Sequence, residues 1–370
     1  MVTHETWMRL ALREARRGLG RTSPNPCVGA VIVSPRGRLL AKGWHRAAGR
    51  PHAEIEALRG LSRPGLARGA TLYVTLEPCS THGRTPPCVE SIIGAGFAKV
   101  VIGAIDPNPR HAGHGLKHLR KAGIEVISGV LNDEAAELNR AFNKWIVTGM
   151  PLVIAKCALS IDGRITRRPD EGQWLTSERS RADAHRVRAR VDAILIGAGT
   201  LRADNPRLTV RGVRGARQPW RVVVTRSGKL PRKAHLFTDE HRDKTLIYKN
   251  QPLTDVLRDL GARAVTSVLI EGGAKVLTEA FDQRLVDSVR FYIAPLLVGG
   301  PHPAIAAPLP PTTLDNQKHR RIGNDILLTG DVCYPEASTS ALPKPGAHRR
   351  DPRSPGGTPQ PPPVARRRAP

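Results

Sequence analysis

The stretch from Leu72 to Cys88 limits the fold more than any other part of the chain. An apolar, β-branched run over 71–76 stops at Glu77-Pro78, and a proline cannot donate to a strand ladder. Cys79 and Cys88 follow, with eight residues between them. Some twenty residues upstream, His52-Ala53-Glu54 opens a segment in which Ile55, Ala57, Leu58 and Leu61 recur at helical spacing. The core of such a domain therefore alternates strand and helix, with chemically active residues gathered at the junctions.

A histidine, two cysteines and a carboxylate that need not bind metal are the parts of a zinc-dependent deaminase. A catalytic zinc takes three protein ligands and keeps a fourth position for water, and His52, Cys79 and Cys88 could supply the three. Both cysteines are expected at helix N-termini, where the dipole helps hold thiolate. Glu54, two residues after the ligand, would reach the same water and move its proton. The signal has a bland alternative, a structural zinc site or unrelated buried cysteines. Pro-Cys-x-x-Cys is the commoner deaminase spacing, and the loop here is longer.

The chain has 370 residues, which suits two domains of ordinary size. No apolar run approaches the roughly 18 residues of a membrane span. The N-terminal segment carries both Glu and Arg and reads as neither a signal nor a transit peptide. Five scattered cysteines make no disulfide framework and suit a cytoplasmic location. Cys27, Cys157 and Cys333 are expected as small buried hydrophobes. The net charge of +26 invites a nucleic-acid reading, but aromatic residues are only 4%, too few for a stacking platform. The arginines are spread rather than gathered in a stripe, which suits solvated surfaces and phosphorylated small ligands better. No nucleic-acid partner is expected.

In chain order, 5–18 reads as a helix, 28–33 and 39–44 as strands joined by a hairpin turn, and His52 begins the next helix. A strand at 71–76, a helix from Cys88, a strand at 100–105, a helix at 115–122 and a strand at 124–128 complete a three-layer α/β domain. Residues 130–145 look like one helix closing the first unit. The second α/β run has strands at 152–158, 193–197, 221–225, 245–248, 268–270 and 288–293, with helices at 177–190 and 276–281. Two strands run into glycines, Gly197-Ala-Gly199-Thr200, read as a glycine turn, and Glu271-Gly272-Gly273-Ala274. Such junctions let backbone amides approach a phosphate, although a glycine after a strand is often only a turn. From Pro335 the tail holds ten prolines and cannot bury a core, so it is expected to be disordered.

Ser-Pro-Asn-Pro-Cys-Val-Gly-Ala-Val-Ile-Val (23–33), Pro-His-Ala-Glu (51–54) and Thr-Leu-Glu-Pro-Cys-Ser-Thr-His-Gly-Arg-Thr-Pro-Pro-Cys (75–88) closely resemble the bifunctional riboflavin-biosynthesis deaminase–reductase family. The long loop between the cysteines is a mark of that family. The resemblance implies a cytidine-deaminase-like fold for the first half, with His52, Cys79 and Cys88 on zinc, Glu54 as proton shuttle and Asn25 touching substrate. Thr81 departs from the histidine usual there.

The likeness continues through 156–164, 173–177, 203–211, Glu271-Gly-Gly and 292–300, which resemble the family's reductase domain, similar in fold to dihydrofolate reductase and dependent on NADPH. It implies that Ala158, Trp174, Thr200, Asp204, Gly273 and Ala274 line the cofactor. Arg188, Leu208, Arg211 and Glu271 would hold the substrate, with the arginines suited to its phosphate. Lys156 and Glu271 are the polar candidates beside the reacting carbon. Gly172 replaces a polar substrate contact, and Thr225-Arg226 replaces Asp-Ser, so that Arg226 could meet the 2′-phosphate of NADPH.

The expected organisation is 1–147 deaminase, 148–334 reductase and 335–370 tail. The cofactors are one Zn2+ per chain and NADPH, and the partners are phosphorylated pyrimidines, without membrane association. A homo-oligomer is expected. Implied is deamination of diaminohydroxyphosphoribosylaminopyrimidine, then reduction of its ribosyl side chain. The rivals are a nucleic-acid deaminase or binding module, and a deaminase whose second half has degenerated.

Overall fold

The structure, a computed structural model, describes residues 3–81, 87–109, 111–166, 174–299, 302–309 and 311–334. Expectations for Gly172 and for the tail from Pro335 fall outside these residues.

Five strands form the first sheet, whose three central strands are apolar enough to be covered on both faces while the edge strands carry exposed residues. The five are β1 (Gly29–Val33), β2 (Leu39–Trp44), β3 (Thr71–Leu76), β4 (Lys99–Ala104) and β5 (Glu125–Ser128). Their order is β2-β1-β3-β4-β5, with β1 antiparallel to both neighbours and β3, β4 and β5 parallel. Helix α1 (His4–Arg16) starts where Thr3 accepts the Thr6 N–H, and it buries Met8, Ala11, Leu12 and Ala15 along one stripe. These pack with Val31, Tyr73, Val101 and Ala135 on one face. On the other face α2 (Ala53–Arg59), α3 (Cys88–Ala95) and α4 (His114–Lys121) contribute Ala57, Ile92 and Leu119 to a separate core. The expected three layers are therefore present.

Gly43 sets how closely α2 lies on this sheet. A Cβ there would fall 2.3 Å from Ala57 N and 2.6 Å from Ala53 O, so only glycine lets the helix backbone rest on β2. The first turn of α2 carries His52 and Glu54 into the site.

The single helix expected over 130–145 is two, α5 (Asn132–Leu138) and α6 (Arg140–Thr148). Asn139 breaks it, because its amide is used elsewhere: it accepts the Cys27 N–H at 2.7 Å and donates to Cys27 O at 3.0 Å. Helix α6 then reaches the second half. Lys144 pairs with Asp287 at 2.6 Å, Arg140 pairs with Asp331, and Trp145 Nε1 donates to Gly261 O at 2.9 Å.

The second sheet has eight strands: β6 (Leu152–Ser160), β7 (Ala193–Gly197), β8 (Trp220–Thr225), β9 (Thr245–Lys249), β10 (Ser267–Ile270), β11 (Ser288–Ala294), β12 (Thr313–Ile322) and β13 (Asp325–Cys333). The order is β12-β13-β11-β6-β10-β7-β8-β9, parallel from β11 to β9 and antiparallel at the β13 and β12 edge. The chain leaves β6 for β7, β8 and β9 and returns through β10 between β6 and β7. A cleft outside the carboxyl ends of these strands follows from that return. Around the sheet lie α7 (Glu178–Arg188), α8 (Ala198–Asp204), α9 (His235–Thr238), α10 (Leu253–Ala262) and α11 (Ala274–Asp282).

Two sequence expectations change here, and one element is added. The glycine turn after β7 is the start of α8, since Leu201 packs against Ile194 and Ile196 and overrides the glycines. The β12–β13 hairpin was not foreseen because β12 is exposed at most positions and lacks an apolar alternation. Cys333 is half-buried rather than core, with its thiol 2.8 Å from Asp315 Oδ2. Among the described residues, no helix is long and apolar enough to cross a membrane.

Replacing Gly43 by alanine should cost about 1–3 kcal/mol, because the new methyl meets backbone that cannot rotate away. Denaturant unfolding monitored by circular dichroism measures this; an unchanged midpoint would mean that α2 does not rest on β2 this closely.

Candidate active sites

The end of β3 and the starts of α2 and α3 converge on one pocket. His52 is the N-cap of α2 and Glu54 lies in its first turn, while Cys88 is the first residue of α3. Cys79 departs from expectation: it lies in the loop after β3, not on a helix. It still benefits from a helix start, because the Cys88 N–H donates to its sulfur at 3.3 Å. His52 Nδ1 is 3.2 Å from Cys88 Sγ and 3.6 Å from Cys79 Sγ. The three ligand atoms lie within 4.8 Å of one another.

Hydrogen bonding from Cys88 and His52 outweighs burial and brings Cys79 down to about 4. Cys88 goes the other way, pushed up by its neighbour Cys79 and by burial. The close approach of two soft sulfur donors and an imidazole favours thiolate at Cys79 and would be relieved by a divalent cation between them. That donor chemistry fits zinc. Glu54, 3% exposed, has its carboxyl raised above the usual range by desolvation, only partly offset by His52.

Two further residues, to which the sequence assigns no role, shape this site. His45 Nδ1 lies 3.0 Å from Pro51 O and therefore donates to it; its Nε2 then accepts from Asn25 Nδ2 at 3.1 Å. His45 stands edge-on to His52, ring centroids 5.3 Å apart, so Asn25 is fixed close to the ligand. Glu77 is buried and accepts the backbone N–H groups of Asp106, Gly113 and Gly115, at 3.3, 2.9 and 2.9 Å. It pins the loop that enters α4 beside Cys79. Local spacing carries no signal for either contact, although Glu77 lies within the 75–88 motif and His45 between the two before it. Thr81 is exposed at the edge of the loop.

In the second half a cleft of about 2010 Å³ opens at the carboxyl ends of the parallel strands. Ala158, Trp174, Thr200, Asp204, Gly273 and Ala274 all line it. So do Lys156, Arg188, Leu208, Arg211, Arg226 and Glu271. Every reductase candidate among the described residues is therefore brought to one place. The described lining carries eight lysines and arginines against three carboxylates, a field suited to phosphorylated ligands.

The cleft has a built floor. Gly273, the N-cap of α11, donates its N–H to Thr200 Oγ1 at 2.9 Å, joining the starts of α8 and α11. A Cβ on Gly197 would approach Val276 Cγ2 to 2.8 Å, whereas one on Gly199 would meet only open space. Backbone is thus presented to the cleft between two helix starts, a fit for the phosphates of a dinucleotide. Beside it, Glu271 accepts from Arg188 at 2.6 and 2.9 Å and from Lys156 at 3.4 Å. Burial alone would raise this carboxyl, but the two cations overcome it and hold it well below the usual range. Lys156 Nζ also stands 5.9 Å from the centroid of the Tyr292 ring. Leu208 is buried with φ of 51°, a left-handed backbone that disfavours leucine.

Comparison with known proteins finds relatives of both halves of the chain. Residues 1–104 match the family model for the cytidine and deoxycytidylate deaminase zinc-binding region, and residues 151–328 match that for the RibD C-terminal domain. The riboflavin biosynthesis protein RibD of Bacillus amyloliquefaciens is 40% identical over 320 residues, covering 80% of this chain and 85% of its own. The solved RibD of Acinetobacter baumannii is 37% identical with a TM-score of 0.82, covering 90% of this chain and 99% of its own. A Thermotoga maritima structure, described as a diaminohydroxyphosphoribosylaminopyrimidine deaminase/5-amino-6-(5-phosphoribosylamino)uracil reductase, is 35% identical with a TM-score of 0.80, covering 89% and 99%. The chain belongs to the RibD family of riboflavin biosynthesis proteins, joining a zinc-dependent deaminase to an NADPH-dependent reductase.

Proposed function

We propose that residues 1–147 deaminate diaminohydroxyphosphoribosylaminopyrimidine and residues 148–334 reduce the resulting 5-amino-6-(5-phosphoribosylamino)uracil to its ribityl form. The observation that carries the first step is the convergence of His52, Cys79 and Cys88 beside a buried glutamate. Zinc bound by these three donors supplies an acidified water as nucleophile. Glu54, its proton affinity raised by burial, takes a proton from the attacking water at a carboxyl oxygen. It delivers that proton to the ring nitrogen, then takes the remaining proton of the newly attached hydroxyl and gives it to the departing amine, so water and amidine become carbonyl and ammonia. Asn25, held by His45, orients the pyrimidine.

For the second step, NADPH supplies the hydride, and the protein supplies position and charge. Arg188 and Lys156 face Glu271 and favour its anionic form, and the carboxylate in turn places the Lys156 ammonium for the reacting carbon. Arg188 is engaged by that carboxylate, which leaves Arg211, exposed at the cleft, as the first partner for the substrate phosphate. Arg226, also exposed on the cleft after β8, is assigned to the 2′-phosphate of NADPH. Nothing favours the nucleic-acid reading, and a cleft with its floor and its Lys156–Glu271–Arg188 group intact argues against a degenerate second half.

Purified protein should carry one zinc per chain by metal analysis. Glu54→Gln should keep that zinc while ammonia release falls at least about 100-fold, in line with loss of a general acid–base. Active, metal-free protein would contradict the assignment. Arg226→Ala should reduce the preference for NADPH over NADH, read from the ratio of kcat/KM values for the two cofactors; an unchanged ratio would remove Arg226 from the cofactor site.

A further inference from the structure

The turn that carries Asn25 is held partly by the other half of the chain. Ser23 Oγ donates to Asp192 Oδ2 at 2.7 Å, across 169 residues of sequence. Asp192 precedes β7 and is 4% exposed. The same carboxylate accepts the N–H and hydroxyl of Thr266 at 2.8 and 2.7 Å, and Arg217 pairs with its other oxygen. A buried carboxylate with this many donors is a fixed point, since its charge is matched and its lone pairs are used. It also sits at the opposite end of β7 from Gly197, which lines the reductase cleft.

Several contacts from outside hold the turn from Thr22 to Cys27, among them Ser23 Oγ within 3.5 Å of Thr266 Oγ1. Asp192 of the second sheet holds Ser23, Asn139 between α5 and α6 holds both backbone groups of Cys27, and His45 holds the Asn25 amide. Within the turn, the Asn25 N–H donates to Thr22 O at 2.9 Å. Loss of the Ser23 support leaves the turn fixed by Asn139 at Cys27 alone on its C-terminal side, and the Asn25 amide held by a His45 ring that can follow it. We infer that Asp192, although part of the reductase half, is a positioning residue for deamination: through Ser23 it sets the place of Asn25 beside the zinc ligands. The inference rests on the proposed reading of Asn25 as a substrate contact. It means that the deaminase site is assembled by both halves of the chain.

The test uses the zinc-loaded full-length enzyme and measures ammonia release, zinc content and NADPH oxidation with the uracil substrate supplied directly. Ser23→Ala should lower kcat/KM for deamination roughly ten- to a hundred-fold, the scale of a misplaced substrate contact. Zinc should stay at one per chain and reductase kcat/KM within about twofold of the parent, for deletion of one hydroxyl remote from that cleft. Asp192→Asn should give the same pattern, and if it does not fold, Ser23→Ala carries the test alone. Because the effect runs through Asn25, adding Ser23→Ala to Asn25→Ala should produce little further loss, a non-additivity that general destabilisation would not produce. Asn25→Ala impairing deamination while Ser23→Ala and any folded Asp192→Asn are silent would overturn the inference and leave the reading of Asn25 standing. Full additivity in the double variant, or an equal fall in reductase activity, would overturn it as well. Unimpaired deamination by Asn25→Ala would remove that reading and the inference together.

Discussion

A carboxyl taken out of water must meet a cation, collect hydrogen-bond donors or hold its proton more tightly, and both sites of this protein are built on that constraint. Glu54 and Glu271 are both deeply buried, with opposite surroundings. Glu54 has His52 and two sulfurs nearby, desolvation dominates, and its proton affinity rises. Glu271 has the forked Arg188 guanidinium on both oxygens and Lys156 beside one of them, so its charge is locked. The first suits a group that must gain and lose a proton during turnover, the second a fixed anion that orients a cation. One side-chain type thus performs two tasks, divided by environment alone.

The large positive charge has a similar division of labour. Part of it lines the reductase cleft, where it suits phosphorylated ligands. Another part is internal. Arg221 is 1% exposed and ties β8 to Asp239, Leu236 O and Thr245, while Arg290 and Arg320 meet on Asp183. The expectation that the arginines sit on solvated surfaces therefore needs amending. Several are structural, and composition alone cannot separate these from surface charges because both leave the same count.

Local pattern made much of the fold legible. The strand at 71–76 and the helix opening at Cys88 appear where the apolar runs and the proline place them, since such signals depend on neighbours in sequence. The donors to zinc were readable because histidine and cysteine have few other reasons to stand at those junctions. What escaped was set by distant contacts. Asn139 breaks a helix because Cys27, far away in sequence, needs its amide. His45 and Glu77 matter through a carbonyl, a side chain and three backbone N–H groups that only the folded chain assembles. Asp192 had no local pattern at all, yet it connects the two halves at the turn that bears Asn25.

The central claim is that one chain performs a hydrolytic and a reductive step on the same pyrimidine in that order. The most direct measurement follows ammonia release and NADPH oxidation together after adding diaminohydroxyphosphoribosylaminopyrimidine to the purified zinc enzyme. Ammonia should appear first, and one NADPH should then be oxidised per ammonia released. Ammonia without NADPH oxidation, or NADPH oxidation before any ammonia, would contradict that claim.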